Sequence, residues 1–262
     1  MLKIGNLILN NQCNHSSQIL SLKKNNCMKN ILLLLFLAQA AFAQNTGSVQ
    51  YEQVIKLDMT PEMKAAMHGV VLPDQKTNFE LVFSEEESLY KKLDTKEKNK
   101  SNVVMMGADA DYFFYVNLAE KKTLEQEEFL GKRFLISGDW TNRDWKVTGE
   151  TKMILGHPCL KAEITDTLGG ITAWFAMDVK VPYGPKGYGQ LPGLILELKI
   201  HDKTTIRATE INLKPLSEPI KKPKKGKKVT AEAYKTIKEE KLKELQDSYR
   251  QSGNRQVIRI GG

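Results

Sequence analysis

The sequence predicts a mainly β fold: a curved antiparallel meander, half-barrel or open barrel, with one short internal helix and a C-terminal helix. Three observations carry this. Between Gly47 and Lys214, short apolar stretches rich in β-branched and aromatic residues follow one another, separated by turn-forming residues. Several of them alternate apolar with polar side chains, so the sheet has a greasy face that something must cover. Finally, Ala231 to Gln251 contains no Gly or Pro and many strong helix formers.

The first 43 of the 262 residues read as an export leader, with the start codon expected at Met28. Lys29 supplies the positive end, and Ile31 to Leu37 an unbroken apolar run. Ala41-Phe42-Ala43 offers small residues to a signal peptidase, with cleavage expected between Ala43 and Gln44. The apolar core falls short of the roughly 20 residues needed to span a bilayer, so no transmembrane segment is expected in the mature protein. A periplasmic or secreted location follows.

Candidate strands come next: Val49–Leu57, Asn78–Phe83, Ser88–Leu93, Tyr112–Leu118, Thr123–Phe129, Arg133–Ser137 and Trp145–Thr148. Lys152–Thr165, Ile171–Asp178, Leu194–His201 and Thr204–Leu213 complete the series. Thr60-Pro61-Glu62 offers an N-cap with Pro at N1, which predicts the internal helix over Met63–Met67. Charge then divides the mature chain. Residues 44–220 carry 22 Lys and Arg against 26 Asp and Glu, whereas residues 221–262 carry 13 against 5. The formal +8 therefore belongs to the tail. Residues 44–220 are expected as the β-rich domain, 221–230 as a basic linker, and 231–262 as a C-terminal helix and tail with a late strand at Val257–Ile260. The Lys-rich run suits contact with an anionic surface better than nucleic acid, which an exported protein rarely meets.

Between Tyr183 and Gly193, four Gly alternate with Pro185 and Pro192 in a loop between two strands. Gly permits unusual or closely packed backbone, while Pro fixes φ, so a rigid corner is expected that seats Leu191 and Leu194 in the sheet's open end. No helix and no Lys-Ser/Thr pair follows, which argues against phosphate cradling. Gly193 should need positive φ or close backbone approach. Gln190 carries a side chain, so Gly189 is expected to take any special conformation.

Gly189-Gln190-Leu191-Pro192-Gly193-Leu194-Ile195, with Trp145, Ile154-Leu155-Gly156-His157-Pro158-Cys159, Ala173-Trp174-Phe175 and Val181-Pro182-Tyr183-Gly184-Pro185 before it, resembles the GLPGLI family of exported Bacteroidota envelope proteins. Gln190 departs from that motif, which has Gly there. The resemblance implies export and a β-rich fold, and it implies no activity.

Chemistry-bearing residues are sparse. His157 and Cys159 share a strand face but make only two ligands, so no metal site or cofactor is expected. Asp109, Asp111 and Glu85–Glu87 lack calcium-loop spacing. No nucleophile elbow is present. Cys159, alone in the mature chain, is expected to pack in the core. Phe113, Tyr115, Trp145 and Trp174 are candidates to line an apolar site. The function expected is therefore non-enzymatic: a binding or carrier module for a lipid, acylated protein or apolar peptide. An accessory protein docking on an outer-membrane partner is the alternative.

Overall fold

The computed structural model describes residues 45–57, 73–93, 112–167 and 169–251. The expected leader, the helix at 63–67 and the late strand at 257–260 lie outside the described residues. Twelve strands form one open sheet: β1 (Gly47–Ile55), β2 (Gln75–Phe83), β3 (Glu87–Lys92), β4 (Phe113–Asn117), β5 (Lys122–Phe129) and β6 (Lys132–Asp139). β7 (Lys146–Ile154), β8 (His157–Ile164), β9 (Ile171–Ala176), β10 (Leu194–Ile200), β11 (Thr204–Asn212) and β12 (Lys227–Thr230) follow. Helix α1 (Ala231–Gln251) closes the described chain. The sheet order is β12-β6-β5-β4-β3-β2-β1-β11-β10-β9-β8-β7. The fold is the mainly β, antiparallel one that the alternation predicts, with the barrel left open.

Two departures from the expected elements have local causes. The run read as one strand from Lys152 is broken after Ile154. There Leu155 (φ 50°) and Gly156 (φ 84°) make a two-residue hairpin turn of the left-handed kind that matches strand twist. The same Leu-Gly pair, Leu130 and Gly131, turns β5 into β6. Leucine is not a turn signal, so this break is hard to read. The second departure is β12, which occupies the end of the Lys-rich linker and pairs in parallel with β6, Val229 opposite Ile136. To reach it the chain crosses the outer face, where the Lys222 ammonium sits 5.2 Å from the centre of the Tyr115 ring.

The inner face carries the main core. Register aligns Leu81, Tyr90, Phe114, Glu125 and Ile136 in one row across five strands. Phe79 and Tyr90 stack at 4.9 Å, and Tyr112 meets both edge-on at 6.3 Å. Across the sheet, the Tyr51 hydroxyl donates to the Ile195 carbonyl at 2.6 Å, which satisfies a buried polar group that would otherwise be costly. A separate small core joins α1 to the far edge. Tyr234 packs on Phe134 at 5.0 Å and on Phe129 at 6.5 Å, with Ile136 beneath. Thr230 caps α1, its hydroxyl accepting from the Ala233 amide at 3.2 Å. No helix among the described residues is long and apolar enough to cross a membrane.

Candidate functional site

The loop between β9 and β10 fills the inner face. Val179, Val181, Tyr183 and Leu191 are buried among the core strands. Tyr183 lies against Phe83 and stacks on Trp140, and burial pushes its hydroxyl well above the ordinary phenol range. Hydrogen bonds fix the loop's exit. The Trp145 indole donates to the Gly189 carbonyl at 2.9 Å, and the Gln190 amide nitrogen donates to the Pro182 carbonyl at 2.8 Å. The Gln190 side chain bridges to the next segment, donating to the Thr141 carbonyl and accepting from the Arg143 amide.

Gln190 itself is the left-handed residue, φ 68°, so the special conformation expected of Gly189 falls one position later. The motif's Gly suits that backbone. Here the glutamine carries the strain and returns two side-chain hydrogen bonds. Gly193 meets the second of its two expected needs. It does not enter the left-handed region, but a Cβ there would come within 2.0 Å of the Ala176 carbonyl oxygen.

Among the described residues, the inner face keeps a crevice lined by Tyr90, Phe114, Trp140, Tyr183 and Tyr188, too narrow for even a water molecule to enter. Pockets for drug-sized apolar ligands run to hundreds of Å³. The four candidate lining residues do not converge on it. Phe113 and Tyr115 sit on the outer face of β4, opposite Lys91 and Leu89 respectively. Trp174 lies beneath the Lys152 ammonium, 4.2 Å from its ring centre. Trp145 braces the motif loop. Cys159 is fully buried, and burial pushes its thiol up to about 11. The His157 ring pairs with Asp178 at 2.8 Å. Among the described residues, no three metal-ligating side chains come together.

The titratable groups gather elsewhere, in a seam between the filled inner face and α1. Glu125 and Glu127, two apart on β5, both point inward, opposite Phe114 and Phe134. Burial pushes the Glu125 carboxyl above its ordinary range and the neighbouring Glu127 adds to this; a hydrogen bond from Tyr112 and the charges of Lys238 and Lys186 oppose it. Lys238 reaches from α1 to Glu127 at 3.2 Å. Lys186 comes from the motif loop, its ammonium 5.4 Å from the Tyr112 ring centre. Two neighbouring carboxyl groups in unlike surroundings, one buried and one paired with an ammonium, are the kind of pair that proton transfer uses. It also offers acceptors and donors to a hydroxyl-rich ligand. The sequence carried a signal for it: strand alternation puts Glu125 and Glu127 on one face. Glutamate on a strand normally marks the solvent side, which masks the pair in the sequence.

On the outer face a second set is fully paired. Glu197 takes Lys152 at 2.8 Å and Arg207 at 2.9 Å. Burial pushes the Glu197 carboxyl up, but these two partners outweigh it and hold it below its ordinary range.

Comparison with known proteins decides the family. Residues 74–236 match the family described as N-glycanase peptide, N-terminal domain. That stretch runs from just before β2 into α1. Among solved structures, PNGF-II in one crystal form shares 18% identity with a TM-score of 0.50, covering 73% of this chain and 32% of that one. PNGF-II in a second crystal form shares 20% identity with a TM-score of 0.49, covering 74% and 33%. At that identity the likeness speaks to the fold. The chain spans about a third of the length of these structures. None of the curated proteins compared matches it.

Three expectations are thereby corrected. The GLPGLI resemblance does not hold: the family found is the N-glycanase one. The hydrophobic carrier is overturned by the same match, and the filled inner face gives the physical reason. The non-enzymatic reading goes with it, and the docking alternative gains no support, since the family is named for an enzyme. The match covers well over half of the sequence, and the chain belongs to the family of N-glycanase N-terminal domains.

Proposed function

We propose that the protein is exported and serves in the release of N-linked glycans from glycoproteins, with this domain engaging the substrate. The observation that carries the proposal is the family match over residues 74–236, which contains the whole sheet from β2 to β12 and the start of α1. Export rests on the leader expected before Gln44, and it places the chain where glycoproteins of other organisms are met.

The seam of Glu125, Glu127, Tyr112, Lys186 and Lys238 supports the substrate role. Carboxylates accept hydrogen bonds from sugar hydroxyls, ammonium and phenol groups donate them, and Tyr112 with Phe114 adds ring surface. Purified full-length chain should therefore bind an N-glycosylated peptide over its deglycosylated form, and Glu125→Gln with Glu127→Gln should weaken that binding. Glycan release is followed by mass spectrometry, from the chain alone and from a mixture with a catalytic N-glycanase. No preference for the glycosylated peptide, together with no release and no change in the mixture, would overturn the proposal.

A further inference from the structure

The densest run of positive charge in the described chain is a built edge of the sheet. Residues 221–228 hold six lysines and no acid. Among the described residues, Lys221 is paired with Glu218 at 2.7 Å, and Lys222 lies over the Tyr115 ring. Lys224, Lys225, Lys227 and Lys228 are all exposed, and none forms an ion pair among the described residues. Acidic residues are abundant elsewhere in residues 44–220, so the absence of partners here is selective.

The run is also held in place. β12 carries Lys227 and Lys228 against β6, opposite Phe134 and Leu135. Immediately before it, Gly226 takes φ +127°, and a Cβ there would meet the Phe134 carbonyl carbon at 2.7 Å. Backbone therefore lies directly on backbone, and α1 locks the other end through Tyr234. The Cα atoms of these four lysines spread over at most about 14 Å along an extended chain. Strand alternation puts Lys227 and Lys228 on opposite sides of it. A polybasic segment that merely adheres to lipid needs no such framework, and it commonly has exposed apolar side chains beside it. Of the five exposed large apolar side chains among the described residues, Val147, Met153, Leu155 and Met177 lie on or beside β7 and β8, at the opposite end of the sheet, and Leu130 alone, in the turn between β5 and β6, lies near this edge.

We infer that the β12 edge binds the negatively charged groups of acidic glycans, the carboxylates, sulfates or phosphates that decorate sugar chains. This rests on the N-glycanase reading and deepens it: the family match supplies the glycoprotein, and the lysine edge selects its acidic forms. Fixed ammonium groups raise the local concentration of an anionic substrate and do so less as salt screens them.

The test uses full-length protein and one glycoprotein in two forms, sialylated and enzymatically desialylated, with binding measured at about 0.05 M and 0.5 M salt. Vesicles containing anionic phospholipid serve as the second probe. The sialylated form should bind at least about tenfold tighter at low salt, with the preference collapsing at high salt. Lys224→Gln with Lys225→Gln, outside β12 and harmless to pairing, should weaken binding by about fivefold. Adding Lys227→Gln and Lys228→Gln should remove the preference. Equal binding of the two glycoforms, indifference to the double variant, or tighter binding to the vesicles than to the sialylated glycoprotein would each overturn the inference. Release assays on a neutral glycopeptide report separately on the N-glycanase reading, so the two can fail independently.

Discussion

Around Tyr183, 25 buried side chains among the described residues, from nine strands, Tyr112 and the motif loop, form one continuous core, whereas α1 and β12 rest on three, Phe134, Ile136 and Tyr234. Each fully buried large apolar side chain contributes about 1.5–3 kcal/mol, so the two regions differ several-fold in what holds them. The charges follow the same division. The outer-face set around Glu197 is paired within the large region, while the seam acids and the free lysines sit at or beyond its boundary with the small one. Stability is concentrated where the chain offers little chemistry, and the groups able to contact a substrate lie where the packing thins. Local opening at the α1 edge should therefore precede global unfolding.

The sharpest way to break the large region is to obstruct its plug. Gly193→Ala would force a methyl into the Ala176 carbonyl, backbone against backbone, and should cost about 3 kcal/mol. Gln190→Gly, three residues earlier, exchanges a strained φ for two lost hydrogen bonds. It should stay within about 1 kcal/mol of the parent. Urea unfolding measures both. Equal effects would mean that the corner is not set by backbone approach.

The small region should fail alone. Tyr234→Ala removes the ring that Phe134 and Phe129 hold, a local loss of about 3 kcal/mol. Hydrogen exchange should then show α1 and β12 unprotected while β1, β10 and β11 keep their protection. Loss of protection across the whole sheet would show that the two cores are one cooperative unit. A milder probe of the large region is Cys159→Ser, which places a hydroxyl in a fully buried site and should cost about 1–2 kcal/mol. The native thiol, buried and held up to about 11, should react with a thiol reagent only on unfolding.

The large region was legible in the sequence for the same reason that it is stable. Its strands bury β-branched and aromatic residues at every second position, and Val49, Tyr51, Phe79 and Leu81 announce themselves. The corner was legible too, because Gly and Pro have few other uses at such density. What escaped notice lies in the small region. β12 offers one apolar residue, Val229, among lysines, and its pairing is fixed by the long-range approach of Gly226 to Phe134, which no local pattern encodes. The seam is hard to read because Glu125 and Glu127 sit inward on a strand whose outer face also buries a polar side chain, Gln126. Two-sided burial removes the contrast that alternation depends on. The left-handed residue is Gln190 and not Gly189, because a side chain does not exclude that backbone where two hydrogen bonds hold it.

The last and smallest effect tests how closed the boundary between the two regions is. Glu125 is pushed above its ordinary carboxyl range chiefly by burial, so its protonated form is favoured in the folded state relative to the unfolded one. A raised pKa of this kind contributes stability that is fully present below the unfolded glutamate value and is lost as pH rises through the folded value. At neutral pH the group should therefore be a mild liability. Glu125→Gln keeps an oxygen to accept from Tyr112 and gains an amide that can face Glu127, without the buried charge. The stability of the parent relative to this variant should fall as pH rises from the unfolded glutamate value through the raised folded value, and then level off. Side-chain carbon NMR of the parent should show Glu125 titrating above the ordinary carboxyl range. Removing Glu127, as Glu127→Gln, should bring that titration down, because the nearby like charge is gone; Lys238→Gln should move it further up. A stability difference that stays flat with pH would mean that Glu125 is solvated in solution. The seam would then stand open to water, with α1 already lifted from the sheet edge, and a ligand could enter between Glu127 and Lys238 without first displacing the helix.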